Sequence, residues 1–141
     1  MIQRPFRISL LWITLMVGFT AHTAADMFPL FWGHDVVMEQ MDKLPQSMSA
    51  LIAVISVLLP FIGLLLSFYT KRRACVVLNF VMACFISLFN LAHMAELAHP
   101  DALFGQFIIM PIIAVVSILL SVELFYQQKS MQTTQNEPTE I

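Results

Sequence analysis

Between Ser47 and Thr70 the chain runs for 24 residues without one charged side chain. Ile8 to Ala25, Ala74 to Ala95 and Ala102 to Val122 are free of Asp, Glu, Lys and Arg in the same way. A helix needs about 20 mostly apolar residues to cross the roughly 30 Å hydrocarbon layer of a bilayer, and each run approaches or exceeds that length. Of the 141 residues, 59% are hydrophobic and 11% charged. A soluble domain of this size cannot hide so much apolar surface in one core, and lipid is the natural cover. The expected fold is all-α: an integral membrane four-helix bundle in a single domain (1–126). Its spans fall at about 8–28, 47–70, 74–99 and 102–126.

The connections are short. Phe28, Phe31 and Trp32 suit a membrane interface. Residues 34–43 mix Val36, Val37 and Met41 with Asp35, Glu39 and Asp42, a pattern that predicts a short interfacial helix in the first outer loop. Pro60 in mid-span predicts a kink, and Pro111 lies near the start of the fourth span. Residues 127–141 are polar and without apolar periodicity, which predicts a disordered tail. The first run admits two readings. Its basic start, apolar centre and Thr23-Ala24-Ala25 resemble a signal peptide cleaved after residue 25. Gly18, Ala21 and Ala25 make a small-residue face that suits a retained span better.

Basic residues give an orientation. Arg4, Arg7, Lys71, Arg72, Arg73 and Lys129 fall at one end of the four spans and Lys43 alone at the other. The positive-inside rule places both termini in the cytoplasm, and a bacterial plasma membrane is the expected location. Glu123, near the cytoplasmic end, is within reach of Lys71 or Lys129. A net charge of −2 gives nucleic acid no basic surface to bind.

Each span carries small or polar residues at helical spacing. The stripes run through Thr14, Gly18, Ala21 and Ala25; through Ser49, Ala53, Ser56, Pro60, Gly63 and Ser67; through Asn79, Ala83, Ser87, Asn90 and His93; and through Gln106, Ser117 and Ser121. Small residues and interhelical hydrogen bonds hold helices together in lipid, so these faces are expected to meet. Gly18, Ser56, Gly63, Asn79, Asn90 and Ser117 are the candidate packing residues, with Ser56, Ser67 or Ser117 serving the two asparagines.

Chemistry-bearing residues gather at the outer end. His22 and Asp26 are one helical turn apart, and His93 and Glu96 are i,i+3 neighbours. Imidazole and carboxylate suit a divalent metal, which makes His22, Asp26, His93 and Glu96 candidate ligands. His22 and His93 could also serve as the axial pair of a haem. The plainer reading is a His–carboxylate pairing that pins the bundle. Cys75 and Cys84 lie nine residues apart on one helix, about 13 Å at the helical rise, too far for a disulfide. No hydrolase or phosphate-binding motif is present. The sequence therefore favours a non-enzymatic accessory bundle with a His/carboxylate patch for a ligand, a membrane-protein partner or a second copy of itself. The alternative is a metal- or haem-binding redox or transport protein.

Overall fold

The computed structural model of the chain describes residues 3–33, 46–69, 71–98 and 103–136. The described residues are helical apart from short turns. In order they form α1 (Arg4–Met27), a 3-10 turn (Phe28–Trp32), α2 (Gln46–Ala53), a π-helical turn (Val54–Leu58), α3 (Leu59–Ser67), α4 (Arg73–His93), a second 3-10 turn (Met94–Ala98) and α5 (Gln106–Asn136). Four helical stretches are long and apolar enough to cross a membrane: Arg4–Trp32, Ser49–Ser67, Arg73–Ala98 and Gln106–Thr133. The predicted interfacial helix lies outside the described residues.

One difference from expectation concerns the end of a stretch. Residues 127–136, read as a disordered tail, continue α5 as helix to Asn136; 137–141 lie outside the described residues. At 31 residues, α5 is about 46 Å long and outruns a bilayer core. Pro60 acts one turn before itself. It has no N–H for the Ser56 carbonyl, and the helix widens just ahead of it, with Leu59 N–H reaching back five residues to the Val54 carbonyl.

The helices alternate in direction. α1 packs on α3 and α5, and α4 packs on the same two. α1 and α4 therefore run parallel and face each other across the diagonal. α2 stands apart at its far end: every side chain described there is exposed.

Two side-chain ties cross the diagonal, and the deeper one sits in the core. Trp12 is fully buried, and its indole N–H donates to Asn79 Oδ1 at 3.0 Å. Gly63 of α3 makes the room, since a Cβ there would overlap the six-membered ring of Trp12. Ile8, Leu15, Phe19, Met82, Ala83, Ile86, Ile113, Leu120 and Leu124 complete the cluster.

This arrangement corrects the expected face of the first span. The buried side is Ile8, Trp12, Leu15 and Phe19, joined further on by Ala25 of the expected stripe, whereas Thr14 and Ala21 are exposed. Thr14 and Thr20 satisfy their hydroxyls on their own helix, at the Leu10 and Met16 carbonyls. Gly18 still lies at a close approach, beside Ile113 of α5. Ser56 is not a cross-helix partner, because its hydroxyl returns to the Ile52 carbonyl at 2.6 Å. Ser67 meets Ser9 of α1, also at 2.6 Å. Ser117 is fully buried; its hydroxyl bonds the Ala114 carbonyl, while its own carbonyl accepts from Ser87. Asn90 is buried and its amide nitrogen has no partner.

Glu123 corrects a second expectation. Its carboxylate is shared by Arg7 at 3.1 Å and Arg4 at 3.4 Å, both on α1, in place of Lys71 or Lys129. Arg4 also donates to the Tyr126 carbonyl. This clasp closes the arginine end of the bundle.

The core knot makes a stability prediction. Gly63→Ala must displace the Trp12 ring, an overpacking cost of about 1–3 kcal/mol. Trp12→Phe leaves the Asn79 carbonyl without its donor inside the core and costs about 1–3 kcal/mol. Reversible unfolding of the purified protein in mixed detergent micelles measures both, and wild-type stability in either variant would contradict the knot.

Candidate functional site

The second diagonal tie lies at the opposite end of α1 and α4 from the arginine clasp. The buried face of α1 runs on from Phe19 to His22 and Asp26; His22 meets His93 at the end of α4, and Asp26 meets Gln106 of α5. α4 ends at His93, and the chain then tightens into the 3-10 turn. In a 3-10 turn, side chains three apart are eclipsed, and this brings Glu96 over His93.

The two imidazoles meet directly. His22 Nε2 and His93 Nε2 are 3.4 Å apart, with ring centroids at 5.6 Å and planes at 75°. A carboxylate attends each ring. Glu96 Oε1 lies 2.9 Å from His93 Nδ1, and Asp26 Oδ2 lies 3.7 Å from His22 Nε2. Asp26 is held from its other side, where Gln106 Nε2 donates to Oδ1 at 3.0 Å. Gln106 Oε1 in turn accepts the Leu103 backbone N–H at 3.1 Å. Phe89 stacks on His93 with centroids at 5.9 Å and planes at 17°. The side chain of His22 is 15% exposed, that of His93 30% and that of Glu96 64%, so the pair is accessible from its end of the bundle.

The ion-pair contact with Glu96 selects one tautomer for a neutral His93 ring. A carboxylate only accepts, so the neutral His93 ring carries its proton on Nδ1, toward Glu96. His93 Nε2 is then a bare lone pair. The contact becomes a hydrogen bond when His22 donates from Nε2. That leaves His22 Nδ1 as an acceptor, and this atom is buried without a partner. Among the described residues, this end carries two carboxylates and no Lys or Arg.

The four residues singled out in the sequence thus lie at one end of the bundle but form two pairs. They do not converge on one point, and among the described residues no three His, Cys, Asp or Glu side chains form a group arranged to hold a metal ion. The direct nitrogen-to-nitrogen contact leaves no gap for a flat macrocycle with one imidazole on each face, so haem ligation does not suit this arrangement. Sequence reasoning missed the fixing role of Gln106 and the stacking of Phe89. The signal for Gln106 was present, as a lone amide opening an apolar helix at the depth of Asp26.

No protein-family model matches the chain, and comparisons with curated proteins and with solved structures give no match.

The tautomer assignment is testable by 15N NMR of histidine-labelled protein in micelles. At neutral pH, His93 should show a protonated Nδ1 and an unprotonated Nε2. Glu96→Gln should weaken that preference, and a His93 protonated on Nε2 in the wild type would contradict it.

Proposed function

We propose that this chain is an integral membrane bundle with both termini in the cytoplasm, located in a bacterial plasma membrane. It acts through contacts at its outer rim and not by catalysis. The observation that carries this reading is the His22–His93 contact. It places two imidazoles, each attended by a carboxylate, on an accessible rim of an otherwise apolar body. Ionisable groups within a membrane segment mark functional sites by default, and this pair, at the outer end of its helices, is only partly sealed from its surroundings. The site offers hydrogen bonds and negative charge to a ligand, to a membrane-protein partner or to a second copy of the chain.

Two features support membrane insertion. Side chains such as Val17, Val81, Leu88 and Val115 face outward, fully apolar and more than half exposed, and a surface of this kind needs lipid. The basic residues Arg4, Arg7, Lys71, Arg72, Arg73 and Lys129 share the end opposite the histidines, as the positive-inside rule requires of a cytoplasmic face. α1 belongs to the mature chain on this reading, because it supplies Trp12, Ile8 and Leu15 to the core and half of each diagonal tie.

Single cysteines in a Cys75→Ser, Cys84→Ser background test the topology. Glu96→Cys should react with an impermeant maleimide in intact cells, and Lys129→Cys only after lysis. Mass spectrometry should find residues 1–25 on the mature protein. A photoreactive residue in place of Glu96 should give adducts to protein, while one at Val115 should give adducts to lipid. Equal adducts from both positions would remove the contact reading, and reversed maleimide labelling would overturn the orientation.

A further inference from the structure

We propose that α2 is a shutter for the rim: it swings about the π-helical turn at Val54–Leu58 and packs Ser49 and Ala53 on the outer half of α1, beside the histidine pair. The inference goes beyond the contact reading of the rim and does not depend on it.

The first reason is a helix pairing that stops partway. α1 and the second span run antiparallel. Ser9 bonds Ser67, and Trp12 fills the notch at Gly63. A heptad step returns a helix to the same face within about 20°, so a heptad forward along α1 and a heptad back along the second span give the next pairs. From Ser9–Ser67 these are Met16–Pro60 and then Thr23–Ala53. From Trp12–Gly63 they are Phe19–Ser56 and then Asp26–Ser49. Near the core the pattern holds, with Pro60 and Phe19 buried. Further out it breaks: Thr23, Ser49 and Ala53 are all exposed. The second span thus uses only the inner half of its small-residue stripe.

The second reason lies at the break itself. A π turn spends about one residue more than an α turn, and one residue is about 100° of helix. The extra residue rotates α2 off the α1 side, so that Ile55 is buried where Ser56 is only half-buried. Prolines and π turns are the usual places where a helix bends, and among the described residues the only substantial packing of α2 is on the π turn. Returning that turn to α-helical register restores both outer pairs. Ser49 and Ala53 are small enough for close approach. Ser49 then arrives at the level of Asp26, one turn from His22, whose Nδ1 is buried without a partner. A hydroxyl both donates and accepts, so it can serve that nitrogen in either tautomer. Closure covers the histidine rung from the side, and swinging out uncovers it.

The test is disulfide cross-linking in the full-length chain, in membranes, with Cys75→Ser and Cys84→Ser. Copper phenanthroline is the oxidant. Lys43 lies between the two positions of every pair, so after trypsin the fragments of a cross-linked monomer stay joined until reduced. Ser9→Cys with Ser67→Cys should link readily and shows that the bundle is intact. Thr23→Cys with Ala53→Cys should also link, more slowly, as α2 visits the closed position. Thr23→Cys with Leu51→Cys should not, because Leu51 lies about 200° around the helix from Ala53. Pro60→Ala returns the missing N–H and favours the α-helical register, so it should speed the Thr23–Ala53 link several-fold while leaving Ser9–Ser67 unchanged. A Thr23–Ala53 pair that stays reduced while Ser9–Ser67 links overturns the closure, as does equal linking at Leu51. An unchanged Thr23–Ala53 rate in a Pro60→Ala protein that still links Ser9–Ser67 overturns the hinge. If Pro60→Ala does not fold, the comparison of Ala53 with Leu51 in the parent chain still decides.

Discussion

Inside a bilayer, lipid is as good a neighbour for leucine as another leucine is. A bundle with a lipid-compatible exterior must therefore be held from within by shape and by hydrogen bonds. In this protein one interaction carries much of that load: the Trp12 indole donating to Asn79 inside a notch made by Gly63. It needs all three residues. Without Gly63 the ring has no seat, and without Trp12 the asparagine carbonyl is a buried acceptor with nothing to accept. The tie joins α1 and α4, the two helices whose backbones lie across the diagonal, and so spans the width of the bundle in one step.

The rim site follows from that geometry. Once Trp12 fixes the face that α1 turns toward α4, helical periodicity brings His22 and Asp26 to the same side further up. α4 runs parallel, so His93 arrives at the same end. The core knot and the histidine contact are two rungs between the same two helices, one dry and closed, the other polar and open. The Arg4–Glu123–Arg7 clasp ties α1 to α5 at the opposite end. Anything that engages the histidine rung therefore bears on the α1–α4 pairing.

Much of this was legible in the sequence, though unevenly. Four charge-free runs give four long helices, because no other backbone suits that composition. The α4 stripe from Asn79 to Asn90 is buried as its spacing implies. The α1 face was misread for a physical reason. Small residues favour close packing, but a Trp buried against a Gly on the facing helix packs as closely and also supplies a donor. Trp12 and Gly63 had to be considered together, 51 positions apart in the chain, and periodicity within one helix does not contain that information. The hydroxyls misled similarly: Thr14 and Ser56 bond their own carbonyls and stay outside. Residues 127–136 lack the apolar rhythm that marks a packed helix, yet they continue α5, since an established helix propagates more cheaply than it nucleates. The His–carboxylate pairs were readable from i,i+4 and i,i+3 spacing at a common depth. Gln106 and Phe89 around them were not, because their roles depend on how three helices meet.

At the outer rim, α1 and α4 bring their histidines together. A NOESY spectrum of the full-length protein in micelles or bicelles reports that directly. Cross-peaks between the ring protons of His22 and His93 are predicted, alongside cross-peaks between the Trp12 indole N–H and the side chain of Asn79. If the Trp12–Asn79 cross-peaks are present but the two imidazoles show none, the bundle is right and the rim site is wrong. If both sets are missing in a folded sample, the diagonal pairing of α1 with α4 is itself contradicted.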